Sequence, residues 1–156
     1  MTIFYTKETL YRPDDTPELT FDVFFNLIDE LIQSETLHYS PRNIWNHLAL
    51  YSKGDRESIA LFTIHTTSEN DNKNIGRFIS DLLSKESNYE CYVAVTQTSI
   101  TGAGEEEGKI YPAIQLYGQD KSSGDIQQEG KKLRLYKIEF EKPQGRIIGL
   151  ERQHIA

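Results

Sequence analysis

The amino-acid sequence predicts an α+β fold, with three helices packed on a mixed, mostly antiparallel sheet of about five strands built around a βαβ unit. Two apolar, β-rich runs, 58–66 and 89–98, fit buried strands. Between them, apolar residues recur at the spacing that lines one face of a helix: Ile75, Phe78, Ile79, Leu82 and Leu83. A crossover helix with short links leaves its two flanking strands parallel or nearly so.

A helix is predicted ahead of this unit, from Thr20 to about residue 35. Thr20 is a suitable N-cap, and Asp22 falls in the first turn, where a negative charge is favourable. The apolar stripe is broad because Val23 and Leu27 widen it. A broad stripe indicates a helix that is covered on more than one side, or one that presents part of its surface to a partner; the first interpretation is the simpler one.

Another helix is predicted from Pro41 to about Ser52. Ser40 followed by Pro41 is a start signal, and Lys53-Gly54 supplies a stop. The two helices would then form a helical hairpin before the first core strand.

Further strands are predicted towards both ends of the chain: 2–6, 109–117, 133–140 and 146–150. Pro112 favours an edge or near-edge position for its strand, because proline cannot donate a ladder hydrogen bond. The polar, glycine-rich stretch 101–108 predicts a hairpin loop, and 118–131 predicts a second flexible loop.

The chain has 156 residues and is most simply one domain, 1–156. Its first residues lack the pattern of a secretory signal and no run approaches a membrane span, so a cytoplasmic protein with no membrane contact is expected. The one cysteine, Cys91, lies inside a strand pattern and is expected to be a buried, inert thiol.

Charge is unevenly distributed. Residues 1–130 carry 10 Lys and Arg against 21 Asp and Glu, whereas residues 131–156 carry 7 against 3. An acidic body repels phosphates and attracts basic partners, although plain solubility is the simpler explanation. The basic segment interleaves Arg134 and Lys137 with Tyr136 and Phe140, but the aromatic residues are expected in the core, so no nucleic-acid binding is predicted.

No catalytic or cofactor motif emerges, and no cofactor or metal is expected. Gly102, Gly104 and Gly108 enclose the acidic triplet 105–107 and precede a strand, so they favour a hairpin loop over a phosphate site. The histidines, His38, His47, His65 and His154, lack zinc spacing. A pairing of His38 with His47, or of His65 with Glu69, leaves a histidine and carboxylate enzyme as the alternative.

Carboxylates that are neighbours in the sequence do not predict a shared metal or proton site either. Asp29 and Glu30 point in different directions on a helix, so they are not expected to share a metal or a proton. Asp14 and Asp15 lie beside prolines, where turn chemistry explains them.

The sequence therefore predicts a binding protein that neutralises a basic protein. An immunity protein against a nuclease-type toxin, or a phage-encoded inhibitor, fits the small acidic domain. The expected partner contacts are acidic residues of the two polar loops: Glu105, Glu106, Glu107, Asp120, Asp125 and Glu129.

Overall fold

The computed structural model describes residues 3–12, 15, 17–36, 46–54, 56–66, 73–86, 88–102, 108–121, 130–141 and 146–154. Within these residues the chain forms seven strands and two helices. The strands are β1 (Ile3–Tyr11), β2 (Asn46–Ser52), β3 (Ser58–Thr66), β4 (Cys91–Thr101), β5 (Ile110–Asp120), β6 (Lys131–Phe140) and β7 (Ile147–Gln153). The helices are α1 (Phe21–Thr36) and α2 (Ile75–Lys85).

All seven strands form one sheet in the order β1-β3-β2-β4-β5-β6-β7, and every neighbouring pair is antiparallel. The fold is therefore mostly β, and the prediction of three helices on a mixed sheet of about five strands was wrong. Strands β3 and β4 flank α2 and run parallel to each other, but β2 lies between them and pairs with both.

The helix predicted from Pro41 to Ser52 was wrong over its described part, because residues 46–52 form β2. Six successive residues of this strand, Asn46 to Tyr51, are buried. A central strand is covered on both faces, so its apolar residues do not alternate with polar ones and match a helical stripe equally well. Residues 41–45 of the predicted helix lie outside the described residues.

The two helices cover opposite faces of the sheet. On one face, α1 buries Phe24, Phe25 and Ile28 against a core drawn mainly from β2 and β4 to β7. On the other, α2 buries Ile79 and Leu82 against β2, β3 and β4. The two cores are separate because successive residues of each strand point to opposite faces.

Helix α1 begins as predicted. The Thr20 hydroxyl accepts a hydrogen bond from the Val23 backbone N–H at 3.2 Å, which satisfies one of the unpaired donors of the first turn.

Gly118 of β5 lies directly beneath this helix. A Cβ atom at Gly118 would come within 2.7 Å of the Phe25 ring, so the helix sits this close only because the strand has no side chain there.

A buried polar network fixes α1 to β6. Asp29, 4% exposed, accepts hydrogen bonds from the Tyr136 hydroxyl at 2.8 Å and from Gln33 at 3.2 Å, and pairs with Arg134. At the helix start, Lys132 Nζ lies 2.6 Å from Asp22 Oδ1. Part of the basic C-terminal segment thus neutralises carboxylates of α1.

Two details of the β5 region differ from prediction. The strand continues to Asp120, so the start of the predicted loop 118–131 is ordered in the sheet, and residues 122–129 lie outside the described residues. Strand β5 is also interior to the sheet. Pro112 is accommodated because it lies one residue beyond Ala113, where the pairing with β6 ends, and pairs only with Ser99 of β4.

Candidate binding surface

Of the six predicted partner contacts, the structure describes Asp120 alone. It is the last residue of β5 and lies opposite Cys91 in the ladder. The acidic triplet 105–107, Asp125 and Glu129 lie outside the described residues. Whether these five residues share a surface with Asp120 therefore stays a prediction.

Asp120 lines a solvent-open cleft of about 390 Å³, here called the acidic cleft. Three carboxylates and one ammonium surround it: Glu18, Glu90, Asp120 and Lys53. The remaining lining comes from the start of α1 and the end of β2: Leu19, Thr20, Phe21 and Tyr51. Backbone hydrogen bonds hold the strand ends together, from Glu90 N–H to the Tyr51 carbonyl at 2.7 Å and from Lys121 N–H to the Glu90 carbonyl at 2.9 Å.

The charges of the acidic cleft do not cancel. Lys53 Nζ lies 3.0 Å from Glu18 Oε1, and this hydrogen bond lowers the pKa of Glu18 and raises that of Lys53. Glu90 and Asp120 add further negative potential: burial raises the pKa of the Cys91 thiol to about 12, and both carboxylates contribute to the rise. The acidic cleft therefore carries an excess of negative charge that attracts cations.

Cys91 is 2% exposed, as predicted for an inert thiol. Because its pKa is far above neutral, almost none of it is thiolate, and a thiol is a poor nucleophile.

A second, mainly apolar cavity of about 490 Å³ adjoins the acidic cleft and shares Glu18, Leu19 and Tyr51 with it. We call it the apolar cavity. It lies on the α1 side of the sheet, between the outer surface of α1 and the end of β1. Its apolar lining is Leu10, Tyr11, Pro17, Leu19, Val23, Leu27, Tyr51 and Ile59.

The apolar cavity was not predicted from the sequence. The available signal was the broad stripe of α1, whose simpler interpretation was complete coverage. The structure instead leaves Val23 51% exposed and Leu27 44% exposed, and both side chains line the cavity. Leu10 and Tyr11 of β1 join them as exposed large apolar residues. Such a group around one concave surface is typical of a binding site.

Of the residues in the predicted histidine pairs, the structure describes His47 and His65. His47 lies in β2 rather than in a helix, and it lines a small cavity of about 300 Å³ together with Glu8 and Glu35. Its Nδ1 atom is 3.4 Å from the Thr63 hydroxyl oxygen. Burial, with a smaller effect of His65, lowers the pKa of His47 to about 4, so His47 is neutral at pH 7 and a weaker base than an ordinary histidine.

His65 packs against an aromatic ring, with its centroid 5.0 Å from that of Phe4. The proposed companions of the two histidines, His38 and Glu69, lie outside the described residues.

Within the described part of the chain, no three His, Cys, Asp or Glu side chains gather in a way that could hold a metal ion. Neither described helix is long and apolar enough to cross a membrane. Comparison with family models, curated proteins and solved structures finds no match to this chain.

Proposed function

We propose that this chain is a cytoplasmic, non-catalytic binding protein that neutralises a basic protein, as an immunity protein does with a nuclease-type toxin. The observation that supports this proposal is the acidic cleft. It places three carboxylates and one ammonium around an open concave surface, in a chain of net charge −7. A basic side chain of the partner is the natural complement of this surface.

The ion pair inside the acidic cleft indicates how a partner cation would be held. Lys53 already lies in the field of Glu18 and Glu90, so the geometry accommodates an ammonium group. Both members of the Lys53–Glu18 pair are exposed, and exposed ion pairs contribute little to stability. An incoming lysine or arginine can therefore compete for Glu18 at little cost, or bind Glu90 and Asp120 directly.

Electrostatic attraction of this kind acts mainly on the rate of encounter and on partner choice, and less on affinity. The proposal therefore predicts association that slows as salt is added. The Debye length falls from about 10 Å at 0.1 M salt to about 3 Å at 1 M, which screens exposed charges.

The test begins with capture of a stoichiometric basic protein from native lysate and continues with the purified pair. Association rates are compared for Glu90→Gln/Asp120→Asn and for a matched control, Glu139→Gln/Glu151→Gln. The control removes the same two negative charges from exposed positions on β6 and β7. We expect only the cleft variant to associate several-fold more slowly at low salt, and the difference to disappear at high salt. Equal rates for the two variants would remove the acidic cleft from the interface.

The predicted loop contacts need a separate test. Charge reversal of Glu105, Glu106 and Glu107 should slow association with the same partner. Unchanged rates at low salt would discard this triplet while leaving the cleft assignment intact.

A further inference from the structure

The two edge strands of the described sheet, β1 and β7, differ in how well they resist pairing with another strand. Strand β7 has seven residues, its register against β6 shifts at Glu139 and Phe140, and it carries Glu151 and Arg152. Short length, a bulge and charged side chains are features that keep an edge strand from adding a neighbour. Strand β1 has nine residues, contains no proline and pairs with β3 from end to end without a register shift. It is therefore a long, regular edge that can accept another strand.

The backbone groups that this edge presents outward belong to alternate residues of β1. The Arg12 backbone N–H donates to the Glu57 carbonyl at 3.0 Å, and these two residues continue the β1–β3 register by one step. Hydrogen-bonded and non-hydrogen-bonded pairs alternate in an antiparallel ladder, so the even-numbered residues of β1 bond to β3. The odd-numbered residues direct their N–H and C=O groups away from β3: Ile3, Tyr5, Lys7, Thr9 and Tyr11. The occupant that matches this row of groups is another extended strand.

The side chains of β1 indicate that this strand is β1 of a second copy. Apolar residues lie at both ends of β1, and the polar stretch 6–9 separates them. The exposed apolar side chains are Phe4 at 54%, Tyr5 at 46%, Leu10 at 43% and Tyr11 at 55%. A two-fold axis at Lys7 places Phe4 opposite Leu10 of the second copy, and Ile3 meets Tyr11 in the same way. The pattern is thus self-complementary, as a two-fold interface requires.

This register also satisfies the largest number of outward-facing backbone groups. With the axis at Lys7, each odd-numbered residue of β1 lies opposite an odd-numbered residue of the second copy, so all of them form hydrogen-bonded pairs. An axis at any other residue leaves one end of each strand without a partner.

The like charges at the centre of this register are compensated within each chain. Lys7 Nζ lies 3.5 Å from Oε1 of Glu86, the residue after α2, and 5.5 Å from the centre of the Phe62 ring. Both contacts hold the ammonium group on the α2 side of the sheet, and Glu86 supplies the opposite charge. Lys7 therefore repels its symmetry mate less than an unpaired lysine would.

We propose that this chain forms a homodimer in which β1 pairs antiparallel with β1 of a second copy, with Lys7 opposite Lys7, to give one continuous sheet. The two Lys7 residues exchange a pair of backbone hydrogen bonds, and Phe4 and Leu10 cover each other across the interface. No residue of β1 lines the acidic cleft, so the dimer and the proposed function can fail independently.

The first test is sedimentation velocity of the whole chain over a range of concentrations. The native chain should approach twice its mass of 18.0 kDa as the concentration rises. Thr9→Lys adds a positive charge diagonally opposite Lys7 of the second copy and should shift the chain to the monomer. Thr98→Lys is the matched control, because Thr98 is also an exposed strand threonine but lies on β4. This control should dimerise like the native chain.

Lys7→Pro tests the backbone pairing itself. It removes the outward N–H at the two-fold axis and leaves the bonds from β1 to β3 in place, and edge strands tolerate proline at such a position. The dimer should weaken about 5- to 150-fold, the loss expected for two net hydrogen bonds. Circular dichroism checks that the monomer is folded.

Cysteine cross-linking tests the register and does not depend on destabilising the dimer. The Cα atoms of a hydrogen-bonded pair lie about 5.5 Å apart, within the reach of a disulfide, so Lys7→Cys should cross-link two copies under mild oxidation. In Thr9→Cys the two new cysteines lie four residues apart along the ladder, about 14 Å, so this control should not cross-link. The native Cys91 is buried in both variants.

Three results would overturn the proposal. These are a monomeric native chain at every concentration, equal dimerisation of Thr9→Lys and Thr98→Lys, and equal cross-linking of Lys7→Cys and Thr9→Cys. If the native chain is monomeric and Lys7→Pro abolishes binding of the captured basic protein, the edge belongs to a strand of that protein and the second copy is excluded.

Discussion

Replacement of Asp29 by alanine should be among the most destabilising single changes on the surface of α1 that faces the sheet. The carboxylate is buried and accepts hydrogen bonds from Tyr136 at 2.8 Å and Gln33 at 3.2 Å, in addition to its pairing with Arg134. Alanine would leave the Tyr136 hydroxyl without its acceptor and the mostly buried Arg134 without its counter-charge.

The magnitude follows from these contacts. Removal of one partner of a buried ion pair costs about 3–5 kcal/mol, because the remaining charge stays buried without compensation. Arg134 is partly accessible to water, and its guanidinium lies 4.9 Å from the centre of the Phe25 ring, which offers some residual stabilisation. We therefore expect the lower end of the range, a loss of about 3 kcal/mol in the free energy of unfolding.

The assay is urea denaturation of Asp29→Ala beside Glu30→Ala. Glu30 is the adjacent, exposed carboxylate of the same helix, so its replacement should change the free energy of unfolding by about 0.5 kcal/mol or less. Adding Arg134→Met to Asp29→Ala should recover part of the loss, because no charge is then left unpaired. Equal effects of the two single replacements, or no recovery in the double variant, would refute the reasoning.

Two glycines and one histidine provide further predictions. Gly118→Ala should destabilise the fold by about 1–3 kcal/mol, because the new methyl group meets the Phe25 ring of α1. Gly76→Ala should instead stabilise α2 by up to about 1 kcal/mol, because the space around its Cβ is open. Equal unfolding midpoints for the two variants would contradict the close approach of helix and strand. Burial, more than the neighbouring His65, lowers the pKa of His47 from 6.5 to about 4. As pH falls, His47 therefore takes up its proton in the unfolded chain before it does so in the folded one. The free energy of unfolding should fall by up to about 3 kcal/mol as pH drops from about 6.5 to about 4. His47→Gln should flatten that part of the stability profile, and an unchanged slope would disprove the assignment.

The sequence contained enough information for α1, for α2 and for strands with one periodic face, but not for the segment that was wrongly predicted as a third helix. Helix α1 begins at its predicted cap, Thr20, and α2 carries the predicted stripe, because each covers the sheet with one side only. In β6, Tyr136 and Ile138 are buried, as the alternation predicted. The local pattern of apolar residues predicts an element wherever that element has one solvent-exposed face and one buried face.

Strand β2 shows where local pattern fails. Leu48 and Leu50 face α2 while Ala49 and Tyr51 face α1, so no polar alternation marks this segment as a strand. Its place between β3 and β4 depends on pairing with residues far along the chain. That long-range information also determines the sheet order, which periodicity alone does not contain.

The candidate surfaces were predictable to different degrees. Negative charge near Asp120 follows from composition, although its neighbours Glu18 and Glu90 come from other elements and were not foreseen. The apolar cavity joins Leu10, Leu27 and Ile59, which are far apart in the sequence and individually unremarkable. Only the folded sheet brings these residues together.

The order of the strands also has a consequence for the course of folding. Strands β4 to β7 are neighbours in both sequence and space, so they can form by successive local pairings. In the described sheet, strand β1 pairs with β3, and this pairing joins residues as far apart in the sequence as Ile3 and Thr66. Because contacts between distant parts of a chain form late, we expect β1 to dock last. The wall of the apolar cavity that Leu10 and Tyr11 provide would then be completed in the final step of folding.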